Sequence, residues 1–286
     1  MTSTTDGWRD GLLGVIIFSA SLPATRVAVA GFSPLFLTSA RAVIAGLLGA
    51  MMLRWLQPTR PARRDIASLA IVATGVVIGF PLLTALALQH ITSAHSIIFI
   101  GLLPLSTAIF GVLRGGERPN WMFWPFAVLG SAVVMGFALA GDDRTSVSGD
   151  LLMLAAILLC GLGYAEGAKL SRRLGGWQVM SWALLLSLPI TLALAIAALP
   201  ASWDTIGGGA WTGLAYVSVF SSLIGFMFWY RGLAVGGTAS VGQLQLLQPF
   251  FGLALAGLLL GEPVAWTMIL TTGLVVLCVA LARRYA

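Results

Sequence analysis

Side chains able to bind a ligand, move a proton or hold charge are sparse in this sequence, and most sit inside long apolar stretches. The richest run is Ser240, Gln243, Gln245 and Gln248. At about 100° per residue, the three glutamines spread over roughly 200° of a helix surface. They cannot all face one narrow cavity, so at least one must bond a neighbouring helix. Ser240 and Gln248 are the better cavity residues, with Gln243 beside them, and neutral amides suit a zwitterion without demanding a net charge. His95, with Phe99 four residues on and Ser106 further along, can set an imidazole, a ring and a hydroxyl on one helix face. His95 reads either as a proton-coupling group or as a hydrogen-bonded histidine near a membrane interface, and its shallow position favours the second. Ionisable groups are costly in lipid. Arg41 and Arg26 could each bind a carboxylate, pack against backbone carbonyls or snorkel outward.

Glu166 and Lys169, three residues apart, can pair on one helix face. Tyr164 stands on a Gly161-x-Gly163 stretch where small residues let helices approach, and its ring could border a cavity. Of the ten tryptophans only Trp182 is clearly interior to a stretch. The others lie at or near stretch ends, where amphipathic rings settle at lipid headgroups, so composition does not establish recognition of aromatic ligands. Phe226, Trp229 and Tyr230 share a face and read as a stacking cage or as part of that belt, and the adjacent Arg231 favours the belt. The sequence holds no Cys/His cluster with zinc spacing, no Gly-Lys-Ser/Thr phosphate loop and no Ser/His/Asp set at compatible depth. No metal, no cofactor, no use of ATP and no enzymatic activity are expected. Cys160 and Cys278 each lie in apolar surroundings, as packed thiols do.

These residues must be positioned by a membrane scaffold. Of 286 residues, 58% are hydrophobic and 9% charged, against about a quarter charged in a soluble domain, which excludes a soluble globular protein. Ten apolar stretches run over 11–29, 34–53, 66–89, 92–113, 121–141, 149–170, 177–199, 211–234, 239–260 and 264–282. They are continuous rather than alternating, so they predict transmembrane helices and not barrel strands. The first lacks a small-residue cleavage pattern and is read as a retained span. With the N-terminus in the cytoplasm, the inside face collects Arg9, Arg54, Arg60, Arg63, Arg64, Arg114, Arg118, Lys169, Arg172, Arg173, Arg231, Arg283 and Arg284, which is 13 of the 16 basic residues. Positive loops resist translocation, so both termini are expected inside. Basic residues scattered over short loops form no single face for nucleic acid.

An internal repeat subdivides the chain. Pro104 and Pro249, Glu117 and Glu262, Trp121 and Trp266, and Ala94 and Ala239 are each 145 residues apart. Two halves, 1–142 and 143–286, each with five spans, must enter the membrane from opposite sides, and inverted halves are the architecture of alternating-access carriers. Pro104 and Pro249, read as mid-helix prolines, would free the carbonyls of Ile100 and Gln245 and act as hinges or as packed kinks.

A proline in each fourth helix, the turns Gly116-Glu117-Arg118-Pro119 and Gly261-Glu262-Pro263, and Ser39-Ala40-Arg41 in the second helix resemble the drug/metabolite transporter superfamily, EamA-type. The resemblance spans essentially the whole chain and extends to that superfamily's bacterial inner-membrane exporters of aromatic amino acids. It implies an all-α fold of ten transmembrane helices in two inverted repeats, with a cavity walled by helices 1 to 4 and 6 to 9. Arg118 is an insertion relative to the second copy, so the two turns need not do the same job. The expected function is secondary export of amino acids, aromatic and other neutral ones, with a substrate site at His95, Phe99, Tyr164, Trp182, Ser240, Gln243 and Gln248 and hinges at Pro104 and Pro249. Its expected partners are the amino acid substrate and membrane lipid. A monomer is compatible with the sequence, which does not set the oligomeric state. The alternatives are a drug or metabolite carrier with other cargo, an integral-membrane enzyme acting on lipid-linked substrates, or a non-transporting receptor.

Overall fold

The computed structural model describes residues 4–56, 58–115, 120–139, 146–236 and 242–285. Glu117, Arg118, Pro119, Asp142, Asp143, Arg144 and Ser240 lie outside them, as do the side chains of Pro104 and Gln243. Among the described residues every regular element is helical. The helices are α1 (Asp6–Ala28), α2 (Pro34–Trp55), α3 (Arg63–Ala87), α4 (Ser93–Arg114), α5 (Phe123–Leu139), α6 (Val147–Leu174), α7 (Gly176–Ala197), α8 (Gly208–Gly232), α9 (Leu244–Leu260) and α10 (Trp266–Arg284). Seven of them, α1–α4 and α6–α8, are long and apolar enough to cross a membrane, which takes about 20 residues. The chain is a multi-pass membrane protein. The other three are shorter apolar elements: α5 has 17 residues, α9 falls below the spanning length, and the apolar part of α10 is Trp266–Cys278.

The helices pack in a defined set of pairs: α1 against α8, α2 against α7, α3 against α6, α4 against α6 and α9, and α5 against α10. Charged groups collect at one end of this bundle. There Asp65 of α3 meets Arg173 of α6, Arg114 of α4 lies 2.8 Å from Glu166 of α6, and Arg231 of α8 lies 3.3 Å from Asp10 of α1. Local sequence sets the helix starts. Ser33 accepts from the Phe36 amide (3.2 Å) ahead of Pro34, and Thr92 accepts from the His95 amide (3.1 Å), each satisfying a donor that the first turn leaves free.

Five helices depart from regular α geometry, the first of them α1, which is interrupted by a turn at Ala20. A π segment occupies Ala73–Gly79 of α3, and another occupies Tyr216–Ile224 of α8. Helix α4 is interrupted by a turn at Gly101 and Leu102. Helix α9 is entered through a 3₁₀ segment, Gly242–Leu247, before α geometry resumes at Gln248. This corrects the picture of the two prolines as mid-helix kinks. Pro249 stands in the first turn of the segment Gln248–Leu260, and position 104 in that of Leu103–Gly115. A first-turn proline lacks an amide that would have no intrahelical partner anyway, so the interruption, not the proline itself, breaks the ladder.

Candidate functional site

The most demanding group in the interior is Arg41. It lies on α2, is 7% exposed, and makes no ion pair among the described residues. Its guanidinium is held by two hydroxyls of the α8 π segment. Nε donates to Ser222 Oγ at 3.0 Å, and Nη2 donates to Ser222 Oγ at 2.8 Å and to Ser221 Oγ at 3.2 Å. Ser221 Oγ also accepts from Ser21 Oγ of α1 (2.8 Å), and Ser222 Oγ donates to the Val217 carbonyl (2.8 Å). The π geometry explains that last bond, since a hydroxyl reaching the carbonyl five residues back follows the wider winding of the segment. One turn before Arg41, the Thr38 hydroxyl is buried without a hydrogen-bond partner.

A ring cluster continues from this point along α8. Phe226 lies 4.8 Å from Phe18 of α1, 5.9 Å edge-on from Tyr164 of α6, and 5.5 Å from Tyr230, as centroid distances. Trp229 is 6.4 Å from Phe18. These contacts overturn the reading of Phe226, Trp229 and Tyr230 as an interfacial belt: they are 6%, 2% and 0% exposed. The backbone and Cβ of Trp229 pack on Gly14 of α1, which has no side chain to hold the two helices apart, and Tyr230 packs beside Gly167 of α6 and Gly176 of α7. The Trp229 Nε1 and the Tyr230 hydroxyl are buried without partners. Trp8, Trp55, Trp121, Trp124, Trp203, Trp211 and Trp266 are exposed, as belt residues should be.

The other singled-out residues do not converge on one point. Tyr164 and Phe99 are buried. His95 is buried too and hydrogen-bonded in a helix seam, its Nε2 2.7 Å from Asp150 Oδ1 of α6 and its ring against Phe99 and Phe137. Ser106 donates to the Ile157 carbonyl of α6 at 3.1 Å, so the face His95 shares with it is the α4–α6 contact. Glu166 pairs with Arg114 and accepts from Ser68 Oγ (2.7 Å) rather than pairing with Lys169. Arg26 donates to the Leu88 carbonyl at the end of α3, the carbonyl-packing alternative. Trp182 lines a cavity of about 490 Å³ with Ala50, Leu53, Arg54, Pro58 and Arg60, and its Nε1 is buried without a partner. Gln245 and Gln248 flank the point where α9 turns from 3₁₀ to α geometry, and both are buried with Gln245 Nε2 and Gln248 Oε1 unpartnered.

One motif acquires a physical role. Gly261 caps α9 in the left-handed conformation (φ 62°), which a residue without Cβ adopts freely. The chain then reverses so that the Glu262 carboxylate meets the start of α4. Its oxygens accept from the Ser93 amide (3.2 Å), the Ser93 hydroxyl (2.7 Å) and the Ala94 amide (2.8 Å). A carboxylate on the free amides of a helix N-terminus is favourable both as a hydrogen-bond acceptor and as a charge against the helix dipole. This latch joins α9 to α4 across 169 residues of sequence.

Comparison with known proteins fits this geometry. The chain matches the EamA-like transporter family over residues 11–139 and again over 147–284. It is 63% identical, over the full length of both chains, to the uncharacterized transporter YdeK of Bacillus subtilis. It is 24% identical over 255 residues to a probable terminal-alkyne amino-acid exporter of Streptantibioticus cattleyicolor, covering 88% of this chain and 84% of that one. It is also 25% identical to an S-adenosylmethionine/S-adenosylhomocysteine transporter of Chlamydia trachomatis, covering 93% and 85%. A solved crystal structure with 18% sequence identity superposes with a TM-score of 0.70, covering 98% of this chain and 97% of that one, which establishes a common fold. The chain belongs to the EamA-like transporter family.

Proposed function

We propose that this protein is a secondary carrier that exports amino acids, aromatic and other neutral ones, across the bacterial inner membrane by alternating access. Ten helices form two inverted five-helix halves, 1–142 and 143–286, with the basic end of the bundle and both termini in the cytoplasm, as the positive-inside rule requires. The observation that carries this reading is the pairing of four backbone irregularities; the break of α1 at Ala20 stands outside it, since α6 is regular 145 residues on. The π segment of α3 starts at Ala73 and Ser218, 145 residues on, lies in that of α8; the α4 interruption ends at Leu102 and the 3₁₀ entry of α9 ends 145 residues on, at Leu247. Irregular backbone at membrane depth is tolerated where it lines a cavity or is buried in protein, and broken helices in corresponding positions of two halves mark a carrier's binding region. The packing pairs support the same exchange: adding five to each helix number turns α1–α8 into α6–α3 and maps α2–α7, α4–α9 and α5–α10 onto themselves. The double match to one family supports it as well.

The cargo assignment draws on the relatives named for an amino acid and for S-adenosylmethionine, two cargoes that share an α-amino carboxylate. The unpartnered Gln248 Oε1 offers an acceptor to the ammonium of such a group. Gln243 and Ser240 precede them, His95, Phe99, Tyr164 and Trp182 border the route, and the restarts at Pro104 and Pro249 are the hinges. The Glu262 latch is the gate at the periplasmic end, holding α9 against α4. Efflux of labelled tryptophan from reconstituted liposomes tests the assignment. Efflux well above protein-free vesicles, and competed by other large neutral amino acids, is expected; efflux equal to those vesicles contradicts it. A carrier with other metabolites as cargo would instead be competed by S-adenosylmethionine alone.

A further inference from the structure

We infer that Arg41, with the Thr38 hydroxyl, is the site that takes the carboxylate of the transported molecule, and that the ring cluster beyond it takes the apolar side chain. The inference deepens the proposed export of amino acids and rests on that reading. A guanidinium keeps its charge in proteins and carries five N–H donors. Burying such a charge is expensive unless it is paired and hydrogen-bonded. Arg41 is bonded but unpaired: Ser221 and Ser222 take Nε and Nη2, Nη1 donates to no described residue, and no described carboxylate lies within ion-pair distance.

A hydroxyl collar fixes the planar group without neutralising it. It leaves a fixed positive charge able to take an anion, whereas Arg26, the other arginine within a span, is bonded to a backbone carbonyl. Three residues earlier on the same helix face, Thr38 carries a second unpartnered polar group, its Oγ1. What lies beyond sets the rest of the ligand. Phe226 stands one turn along α8 from Ser222, and Tyr164 and Phe18 close around it. An anion with an apolar or aromatic group about one helical turn away fits both parts. All of Arg41, Ser221, Ser222, Phe226 and Tyr164 are 8% exposed or less, so the group is shut in this conformation and must open to load. It draws α1, α2, α6 and α8 together, two from each proposed half.

The test is ligand-induced thermal stabilisation of the detergent-purified full chain, which needs no transport. The probes are tryptophan, indole-3-propionate, tryptamine and tryptophan amide. Stabilisation by the first two and not by the last two is expected in the unmodified protein. Arg41→Gln should weaken tryptophan binding by about ten- to hundredfold, the loss of one charge-assisted hydrogen bond, while Arg41→Lys should retain part of it. Thr38→Val, which keeps the side-chain shape, should weaken binding several-fold and remains informative if Arg41→Gln does not fold. Equal stabilisation by tryptamine and tryptophan overturns the site, as does a carboxylate preference that survives in Arg41→Gln. Stabilisation by carboxylates with no tryptophan efflux from liposomes overturns the cargo reading and leaves the site standing.

Discussion

Single residues show how strongly burial decides what a charge can do. Glu166 is 1% exposed on its side chain, while its partner Arg114 is 51% exposed. Removing Arg114 leaves the buried Glu166 carboxylate with the Ser68 hydroxyl as its hydrogen-bond partner, a loss of about 1–3 kcal/mol, whereas removing both charges is milder. Arg114→Ala is therefore expected to lower the melting temperature of the purified protein more than the double variant Arg114→Ala with Glu166→Gln does. Equal losses in the two would show that Arg114 contributes only through packing. The sequence identified Glu166 as paired but named Lys169, because helical spacing displays neighbours on one helix and not the arginine 52 residues earlier that folding brings across. The belt reading of Trp229 failed for the same reason: its ring meets Phe18, on a helix more than 200 residues away. Arg41 was visible as an ionisable residue inside a span, but the serines that hold it are 180 residues distant and carried no signal of their own.

Among the elements, the helices themselves were legible and their interruptions were not. Continuous apolar runs specify helices in lipid, because backbone groups have no other partners there. The turn at Gly101, the 3₁₀ entry to α9 and the two π segments depend on neighbours that absorb the displaced backbone. Close approach between elements was legible where glycine marks it. At Gly161 on α6 a Cβ would run into the side chain and backbone of Ser106 on α4, 2.7 Å from its Cβ and 2.9 Å from its carbonyl carbon. Gly161→Leu must then push α4 and α6 apart, straining the His95–Asp150 and Arg114–Glu166 contacts along that seam. Overpacking of this kind typically costs about 1–3 kcal/mol, read as a lower midpoint in thermal unfolding. An unchanged midpoint would mean that the two helices are free to separate at that level.

For the whole molecule, the proposed carrier is a bundle whose two halves would exchange contacts about a shared interior. Prolines, glutamates and tryptophans recur 145 residues apart in the sequence, but what Glu262 does had to come from the structure. Its three hydrogen bonds to Ser93 and Ala94 clamp α9 to α4 at the end away from the basic residues. If access alternates, this clamp opens once in every cycle. The most direct measurement joins cysteines introduced at Ser93 and Glu262 with a short bifunctional maleimide, in a protein reconstituted in liposomes, and follows efflux of labelled tryptophan. The predicted result is efflux before cross-linking and none after it, with each protein carrying one introduced cysteine, beside the buried native Cys160 and Cys278, unaffected by the reagent. Efflux that continues at its full rate through the cross-linked protein would contradict an alternating carrier gated at this end.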